Sequence, residues 1–353
     1  MNNCKVAILG NGSWATALAK IMLCNQEQIN WFIRRQNAID EFMETGKNPG
    51  YLCNSYFDVN RIQFSSDINE VVSHSDILIV AIPSPYVKTV LSKIRRSMKR
   101  KIVVSAVKGM IPDENMIITD YLHVRFEVPE SNLAVIAGPC HAEEIALERL
   151  SYLTIGSASP DTAKLIAELF ATNYVHTTTS DDVDGLEYSS VMKNIYAIAA
   201  GMCHSLRYGD NFQAVLISNA VQEIQRFVAA NNGMPSNIDA SGYLGDVLVT
   251  SYSKFSRNRQ FGQMIGMGYS VKDAQMEMQM IAEGYSQTAA LGIGNWIISI
   301  ALAAVFAFIA GMNCLSFLNN KKGVDCFHSF PLKRETLFFT DTTIFAIYYL
   351  ISN

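Results

Sequence analysis

The chain has 353 residues, a formal net charge of −4 and no long run of basic residues. This charge balance argues against a nucleic-acid-binding protein, because such proteins carry a basic surface for the phosphate backbone. The length exceeds the roughly 250–300 residues at which one core usually divides, so two domains are expected. Seven scattered cysteines without a CxxC pair, and a start without a signal-peptide pattern, favour a reduced, cytoplasmic protein.

Strands and helices alternate through the first half of the chain. Residues 5–9 form a short apolar run typical of a buried strand, and residues 13–24 have apolar side chains at helical spacing. Further strands are predicted at residues 28–33, 76–82, 101–107 and 133–137, and segment 151–157 is followed by a helix near residues 161–171. This alternation predicts an α/β domain of the Rossmann type with a doubly wound, mainly parallel sheet.

The pattern changes near Asp181, where strand signals fade and helical periodicity takes over. Helices are predicted at residues 186–202, 212–231 and 271–285, with loops at 205–211 and 232–242. We therefore expect a dinucleotide-binding domain in residues 1–184, a mainly α-helical substrate and catalytic domain in 185–285, and an atypical apolar tail in 286–353.

The tail is unusual because no charged residue occurs in residues 284–320. Residues 296–312 are almost wholly apolar and approach the ~20 residues of a membrane-spanning helix. A helix buried in a core or dimer interface is the alternative. A single crossing conflicts with Lys321 and Lys322, which the positive-inside tendency would keep on the same side as the catalytic domains. We therefore expect a cytoplasmic protein whose tail packs against the helical domain or against a partner subunit in a homodimer, rather than contacting a membrane.

A glycine-rich turn joins the first strand to the first helix. Its sequence, GNGSWA, places Gly10, Gly12 and Ala15 in a G-x-G-x-x-A dinucleotide-binding pattern. The first glycine makes the tight turn, the second admits a pyrophosphate, and the alanine lets helix and strand approach closely. Ser13 and Trp14 begin the helix whose N–H groups would face the phosphates. The pattern predicts bound NAD or NADP.

Two arginines follow the second strand, at the position where NAD-selective folds usually place an acidic residue. Arg34 and Arg35 would suit the 2′-phosphate of NADP. The alternative is a pair of solvated arginines with no ligand. The sequence thus leaves the choice between NAD and NADP open.

Several segments together resemble the bacterial NAD(P)-dependent glycerol-3-phosphate dehydrogenases. The order and spacing of the motifs match over residues 1–285. The motifs are GNGSWATALA at 10–19, VKG at 107–109, GPCHAEE at 138–144, VMKNIYAIAAG at 191–201, GD at 245–246, SRNR at 256–259, FG at 261–262 and AEGY at 282–285. The resemblance implies interconversion of dihydroxyacetone phosphate and sn-glycerol 3-phosphate by hydride transfer, which supplies glycerol 3-phosphate for phospholipid synthesis.

The resemblance also implies roles for individual residues. Lys193 corresponds to the catalytic general acid and base, and Lys108 to a lysine that contacts both substrate and cofactor. Further substrate contacts fall on Gly138, Cys140, Asp246, Ser256, Arg257 and Asn258. Further cofactor contacts fall on Ser13, Trp14, Arg34, Ala142, Arg257, Ile281 and Glu283. Cys140 occupies a position that is often serine in this family.

The residue types fit this chemistry. Hydride transfer to a ketone builds negative charge on its oxygen, so the site needs a cation and a proton donor. Lys193 lies in an otherwise apolar helix, where desolvation would lower its pKa; a surface lysine is the alternative. Lys108 follows a strand at the sheet edge where ligands bind, or is a solvated strand-end charge. Asp246 would orient Lys193 through an ion pair or cap a helix after Gly245.

The SRNR segment, residues 256–259, combines two guanidinium groups, a hydroxyl and an amide, which suits a phosphate dianion. A polar helix-terminal turn is the alternative. Cys140 and His141 are adjacent, but no further histidine or cysteine lies nearby, so no metal site is expected.

Two other functions remain open. A 3-hydroxyacid or 6-phosphogluconate type of dehydrogenase would share the two-domain plan and the lysine. A cofactor-binding protein with impaired catalysis would result if the altered tail displaced the helices that close the site. After Tyr285 the sequence departs from the family, and a frame change, an altered splice, a membrane tail and a packed helix all fit this departure.

Overall fold

The first part of the chain forms an eight-stranded sheet in this computed structural model, which describes residues 4–111, 114, 116–232 and 239–278. The strands lie in the order β10-β9-β8-β5-β4-β1-β2-β3, and β8–β9 is the antiparallel pair. Their bounds are β1 (Val6–Leu9), β2 (Ile29–Phe32), β3 (Ile62–Ser65), β4 (Ile77–Val80), β5 (Ile102–Ser105), β8 (Leu133–Ala137), β9 (Ser151–Gly156) and β10 (Val175–Ser180), with β6 (Met110–Ile111) and β7 (Met116–Ile117) forming a separate antiparallel pair. The predicted Rossmann-type, mainly parallel sheet is confirmed.

Helices cover both faces of this sheet. They are α1 (Ser13–Asn25), α2 (Gln36–Thr45), α3 (Ile68–Ser73), α4 (Ser84–Leu91), α5 (Ile118–Phe126), α6 (Ala142–Ala146) and α7 (Pro160–Phe170). Alternate residues of β1 point to opposite faces, as strand geometry requires. Ile8 belongs to an apolar cluster that includes residues of α1, α2 and α7, whereas Leu9 belongs to one that includes residues of α3, α4 and α5.

The strand order places a crevice beside the carboxyl end of β1. The chain builds β2 and β3 on one side of β1, then returns to build β4 and β5 on the other. Ligands of doubly wound sheets bind at such a reversal, outside the carboxyl ends of the strands. The loops after β1, β4 and β5 therefore form the floor of the expected cofactor site.

The second part of the described chain is helical, as predicted. Its elements are α8 (Val183–Ser205), α9 (Gly209–Asn232), a π-helical turn (Ser241–Gly245), α10 (Asp246–Tyr252), α11 (Arg257–Gly266) and α12 (Val271–Met278). The loop predicted at residues 205–211 is shorter, because α8 continues to Ser205 and α9 begins at Gly209. The predicted loop at 232–242 lies mostly outside the described residues, and so does the end of the helix predicted at 271–285.

Two glycines let α8 and α11 cross in close contact. A Cβ added to Gly201 would lie 2.0 Å from the carbonyl oxygen of Arg259, and one added to Gly262 would lie 2.0 Å from that of Ile198. No side chain fits at either position without separating the helices. The crossing fixes α11 against α8, the helix that carries Lys193.

Contacts group residues 1–290 into one compact unit, and the division at residue 184 stays a prediction. The apolar segment 296–312 lies outside the described residues. Within the described part of the chain, no helix combines the length and apolar character needed to cross a membrane.

Candidate active site

The two glycines of the β1–α1 turn meet different surroundings. Gly10 has φ +127°, and a Cβ there would lie 2.3 Å from the carbonyl oxygen of Ala81, so the fold itself requires glycine. Gly12 has φ −73° and ψ 178°, which any residue adopts, and a Cβ there would meet nothing within 4 Å. The bare backbone at Gly12 therefore borders open space at the start of α1. This arrangement fits the pyrophosphate of a dinucleotide.

The first turn of α1 connects to the neighbouring loops. Trp14 donates from its indole Nε1 to the carbonyl oxygen of Ala106, 3.0 Å away. The guanidinium of Arg257 donates from Nη2 to Ser13 Oγ at 3.0 Å. Ala15 is fully buried, as expected from its place against the sheet. These contacts bring α11 to the glycine turn, 244 positions away in sequence.

Lys193, Lys108 and Asp246 form a buried charge cluster. Lys193 Nζ lies 2.5 Å from Asp246 Oδ2, and both side chains are 3% exposed. Lys108 Nζ lies 3.9 Å from the same oxygen. Asp246 is the first residue of α10, and its carboxylate faces the two lysines. The Asp246 carboxylate is thus the counter-charge of both ammonium groups.

The loop after β8 borders this cluster. The Gly138 amide donates to Asp246 Oδ2 at 3.2 Å, and the Cys140 thiol donates to the Gly138 carbonyl oxygen at 3.0 Å. Lys108 Nζ lies 3.5 Å from Cys140 Sγ. Gly138 has φ +111°, and a Cβ there would lie 2.5 Å from the Tyr152 carbonyl oxygen, so a larger residue would displace the loop.

The pKa values of the two lysines shift in opposite directions. Burial lowers the pKa of Lys193 to about 8, and the charge of Lys108 adds to this effect while Asp246 opposes it. Burial also acts on Lys108, but Asp246 and Cys140 outweigh it and raise the pKa of that lysine. Burial opposes ionisation of Asp246 too, but the two lysines hold its pKa below the ordinary value. Of the three charged groups in this cluster, Lys193 therefore has the pKa nearest to neutrality.

His141 borders the same cluster as a neutral group. Burial lowers its pKa to about 4, and the charges of Lys193 and Lys108 add to this effect. The imidazole therefore adds no positive charge to the site at neutral pH.

A cleft joins the glycine turn to the charge cluster. The predicted residues that line it are Gly12, Ser13, Trp14, Lys108, Cys140, Ala142, Lys193, Asp246, Ser256, Arg257 and Asn258. Gly10, Ala15 and Gly138 shape the backbone around it. Arg34 and Arg35 are exposed directly after β2. Ile281 and Glu283 lie outside the described residues.

The cleft is also lined by residues for which the sequence predicted no role. These include Tyr51, Pro83, His141, Asn194, Val249, Thr250 and Phe255. Asn194 follows Lys193 directly, and Thr250 lies one helical turn after Asp246, so their spacing to predicted residues was an available signal. Tyr51 and Phe255 lie in irregular segments, where no periodic pattern identifies them.

Ser256 combines two of the predicted roles. Its Oγ accepts a hydrogen bond from the Arg259 amide at 3.3 Å and so caps α11. The polar helix-terminal turn is therefore present. Arg257 and Asn258 begin α11 and face the cleft, so the turn also brings polar groups to the site.

Comparison with known proteins agrees with this architecture. The protein-family model of the NAD-dependent glycerol-3-phosphate dehydrogenase N-terminus matches residues 5–163 of this chain. The family model of the C-terminus matches residues 182–293. Glycerol-3-phosphate dehydrogenase [NAD(P)+] of Bacillus subtilis (strain 168) is 34% identical over 290 residues, covering 81% of this chain and 83% of the relative. The enzyme of the same name from Agathobacter rectalis is 33% identical over 293 residues, covering 82% and 86%.

The solved structures show the same likeness. A crystal structure of glycerol-3-phosphate dehydrogenase from Coxiella burnetii superposes with a TM-score of 0.75 at 27% identity, covering 86% of this chain and 90% of that one. Both family models, these relatives and this fold agree over the segment that carries the cleft. The chain therefore belongs to the NAD(P)-dependent glycerol-3-phosphate dehydrogenase family.

Proposed function

We propose that the chain is an NAD(P)-dependent oxidoreductase that interconverts dihydroxyacetone phosphate and sn-glycerol 3-phosphate, supplying glycerol 3-phosphate for phospholipid synthesis. The observation that carries this proposal is the buried Lys193–Asp246 pair in a cleft shared with the glycine turn. Membership of the family supports the same reaction.

Lys193, Lys108 and Asp246 have different roles in the proposed reaction. The glycine turn and the start of α1 would hold the dinucleotide, whose nicotinamide would supply the hydride for reduction and accept it in oxidation. In the reduction, the Lys193 ammonium donates a proton to the substrate oxygen as negative charge develops on it, and in the oxidation the neutral amine removes that proton. Lys108 keeps its charge and stabilises the developing alkoxide. Asp246 orients both ammonium groups.

The start of α11 is the proposed phosphate site. Arg257 and Asn258 line the cleft, and Arg257 also reaches Ser13 at the start of α1. A guanidinium group binds phosphate oxygens through charge-assisted hydrogen bonds. Arg34 and Arg35, exposed after β2, are the proposed contacts for the ribose 2′ position, so either NAD or NADP remains the proposed cofactor.

Replacing Arg257 with alanine should lower kcat/KM for the phosphorylated substrate far more than for a ketone without phosphate. The loss in kcat/KM should be partly restored by added phosphite or phosphate dianion, because the free ion fills the vacated site. Turnover on dihydroxyacetone phosphate, on glycerone and on a 3-hydroxy acid should be compared in one preparation. Activity on glycerone equal to that on dihydroxyacetone phosphate would contradict the phosphate site. Preference for the 3-hydroxy acid would favour the 3-hydroxyacid class of dehydrogenase.

Cofactor binding without turnover on any of these substrates would identify a binding protein with impaired catalysis.

The two directions of the reaction should respond oppositely to pH. Reduction needs protonated Lys193, whose pKa is about 8 in the unliganded protein, so its kcat/KM should fall as pH rises through that value. Oxidation needs the neutral amine, so its kcat/KM should rise over the same range. Initial rates in both directions from pH 6.5 to 9.5 measure this. Parallel profiles in the two directions would contradict the assignment of Lys193.

Replacing Gly12 with alanine should weaken cofactor binding by at least about tenfold without lowering stability. The added methyl group would enter the open space beside the turn, where it touches no protein atom. Gly10→Ala is the matched control, and it should destabilise the fold because of its positive φ and the close carbonyl of Ala81. Cofactor titration and urea unfolding separate the two effects. Unchanged cofactor affinity in Gly12→Ala would place the pyrophosphate elsewhere.

We also propose that the protein acts in the cytoplasm, where its phosphorylated substrate and cofactor occur, and that it forms a homodimer. The scattered cysteines support the first proposal, and the apolar composition of residues 296–312 supports the second, because apolar segments favour burial at an interface. Recovery of the intact chain in carbonate-washed membranes would overturn the location, and a monomer by analytical ultracentrifugation would overturn the dimer.

A further inference from the structure

Glu187 is a buried carboxyl group that the proposed mechanism does not use. It lies near the start of α8, six positions before Lys193, and is 2% exposed. Its Oε1 accepts a hydrogen bond from Ser105 Oγ at 2.9 Å. Its Oε2 accepts from the Thr119 amide at 3.0 Å and from the Thr119 hydroxyl. One side chain thus joins α8 to both β5 and α5.

A second contact joins α8 to the same part of the sheet. Asn194 Nδ2 donates to the carbonyl oxygen of Lys108 at 2.9 Å. Glu187 and Asn194 are seven residues apart, which is close to two helical turns, so they lie on one face of α8. Ser105 ends β5 and Lys108 follows three positions later. Helix α8 therefore holds both ends of the segment that carries Lys108.

This arrangement links Glu187 to the charge cluster. The spacing between Lys193 on α8 and Lys108 after β5 depends on how the helix sits against the strand end. We propose that Glu187 is a positioning residue that fixes α8 to β5 and so sets the spacing of the two lysines around Asp246. The inference rests on the proposed function, since it assigns these lysines to the reaction.

The reach of the side chain, rather than its charge, explains these contacts. Burial raises the pKa of Glu187 to about 7, although the hydrogen bonds from Thr119 and Ser105 oppose this, so the carboxyl group is partly protonated near neutrality. A glutamine would keep all three hydrogen bonds, with the direction of the bond to Ser105 reversed. Its carbonyl oxygen would accept both bonds from Thr119, and its amide would donate to Ser105 Oγ. An aspartate would keep the charge but is one methylene shorter.

The test compares Glu187→Gln, which keeps the reach, with Glu187→Asp, which keeps the charge. The measurements are kcat, KM for dihydroxyacetone phosphate, cofactor affinity and the pH profile of kcat. We expect Glu187→Gln to stay close to wild type. We expect Glu187→Asp to lower kcat by about 10- to 100-fold with little change in cofactor affinity, since a displacement of about 1 Å can cost that much. In Glu187→Asp the apparent pKa of Lys193 should also rise, because the charge of Lys108, which lowers it, moves away from Lys193.

Ser105→Ala provides a second variant, and Ser157→Ala is its matched control. Ser157 is also buried, and its Oγ donates to the Leu133 carbonyl oxygen at 2.6 Å, so this hydrogen bond does not involve α8. Ser105→Ala should lower kcat and shift the pH profile, whereas Ser157→Ala should lower only the unfolding temperature. Equal loss in Glu187→Gln and Glu187→Asp, or an unchanged Glu187→Asp, would overturn the inference.

If neither Glu187 variant folds, an unchanged kcat and pH profile in Ser105→Ala overturns the inference, and a lowered kcat with a shifted profile supports it. A wild-type chain without turnover on dihydroxyacetone phosphate would instead contradict the proposed function. The two failures are therefore distinguishable.

Discussion

Replacing Lys193 with alanine is expected to lower kcat by about 10²–10⁴ in both directions, with cofactor affinity nearly unchanged. Lys193 is the buried lysine whose pKa is lowered to about 8, so it is suited to exchange a proton. Lys108 cannot replace it, because its pKa is raised and it retains its proton. Steady-state rates and cofactor titration on the same preparation measure both quantities.

Two further variants sharpen this prediction. Lys193→Arg keeps a positive charge beside Asp246 but does not release a proton near neutral pH, so it should also lose turnover. Lys164→Ala removes an exposed lysine from α7 and should leave kcat unchanged. If Lys193→Ala lost cofactor binding while retaining turnover at saturating cofactor, Lys193 would have a structural role instead.

Replacing Asp246 with asparagine is expected to lower the free energy of unfolding by about 3–5 kcal/mol and to remove most activity. The substitution leaves Lys193 and Lys108 buried beside each other without a counter-charge. It also replaces the charged acceptor of Lys193 with a neutral amide, which orients the ammonium group less strongly. Urea unfolding at neutral pH and initial rates measure the two losses.

The stability deficit of Asp246→Asn should shrink as pH rises. Without the carboxylate, the pKa of Lys193 falls further below about 8, whereas in the unfolded chain it stays near 10.5. Between this lowered pKa and about 8, Lys193 of the variant is deprotonated in the native state but protonated when unfolded, so the variant gains stability as pH rises. Wild-type Lys193 is protonated in both states over that range, so the wild type does not gain stability there. Glu148→Gln, which breaks the ion pair between half-buried Lys20 and exposed Glu148, is the control and should change stability little at any pH. A deficit that is constant from pH 6 to 8 would contradict the account of two uncompensated lysines.

The central strands could be predicted because their sequences are local signals. VAIL of β1 and ILIV of β4 are continuous apolar runs of strand length, and every residue in them is buried. Strand β10, whose sequence is VHTTTS, was not predicted, because it lies at the edge of the sheet and most of its side chains are at least partly exposed. An edge strand needs no apolar pattern, so nothing in its composition separates it from a loop.

Helices α10 and α11 were missed for a different reason. Each has at most ten residues and polar side chains that face the cleft, so apolar periodicity is weak. Their position depends on packing against α8, and Gly262 shows this directly. A glycine within FG is unremarkable in sequence, and only the carbonyl oxygen of Ile198 beside it explains why a side chain cannot be present.

The sequence by itself determined the features that depend on neighbouring residues: the GNGSWA turn, the buried strands, the helical second half and the residue types that proton transfer and phosphate binding need. The tertiary structure alone decided which of these groups meet. Lys108, Lys193 and Asp246 converge from three separate elements, and Glu187 reaches β5 across 82 positions of sequence. Local periodicity carries no information on such contacts, because strand order and helix crossing are set by the packing of surfaces that are distant in the chain.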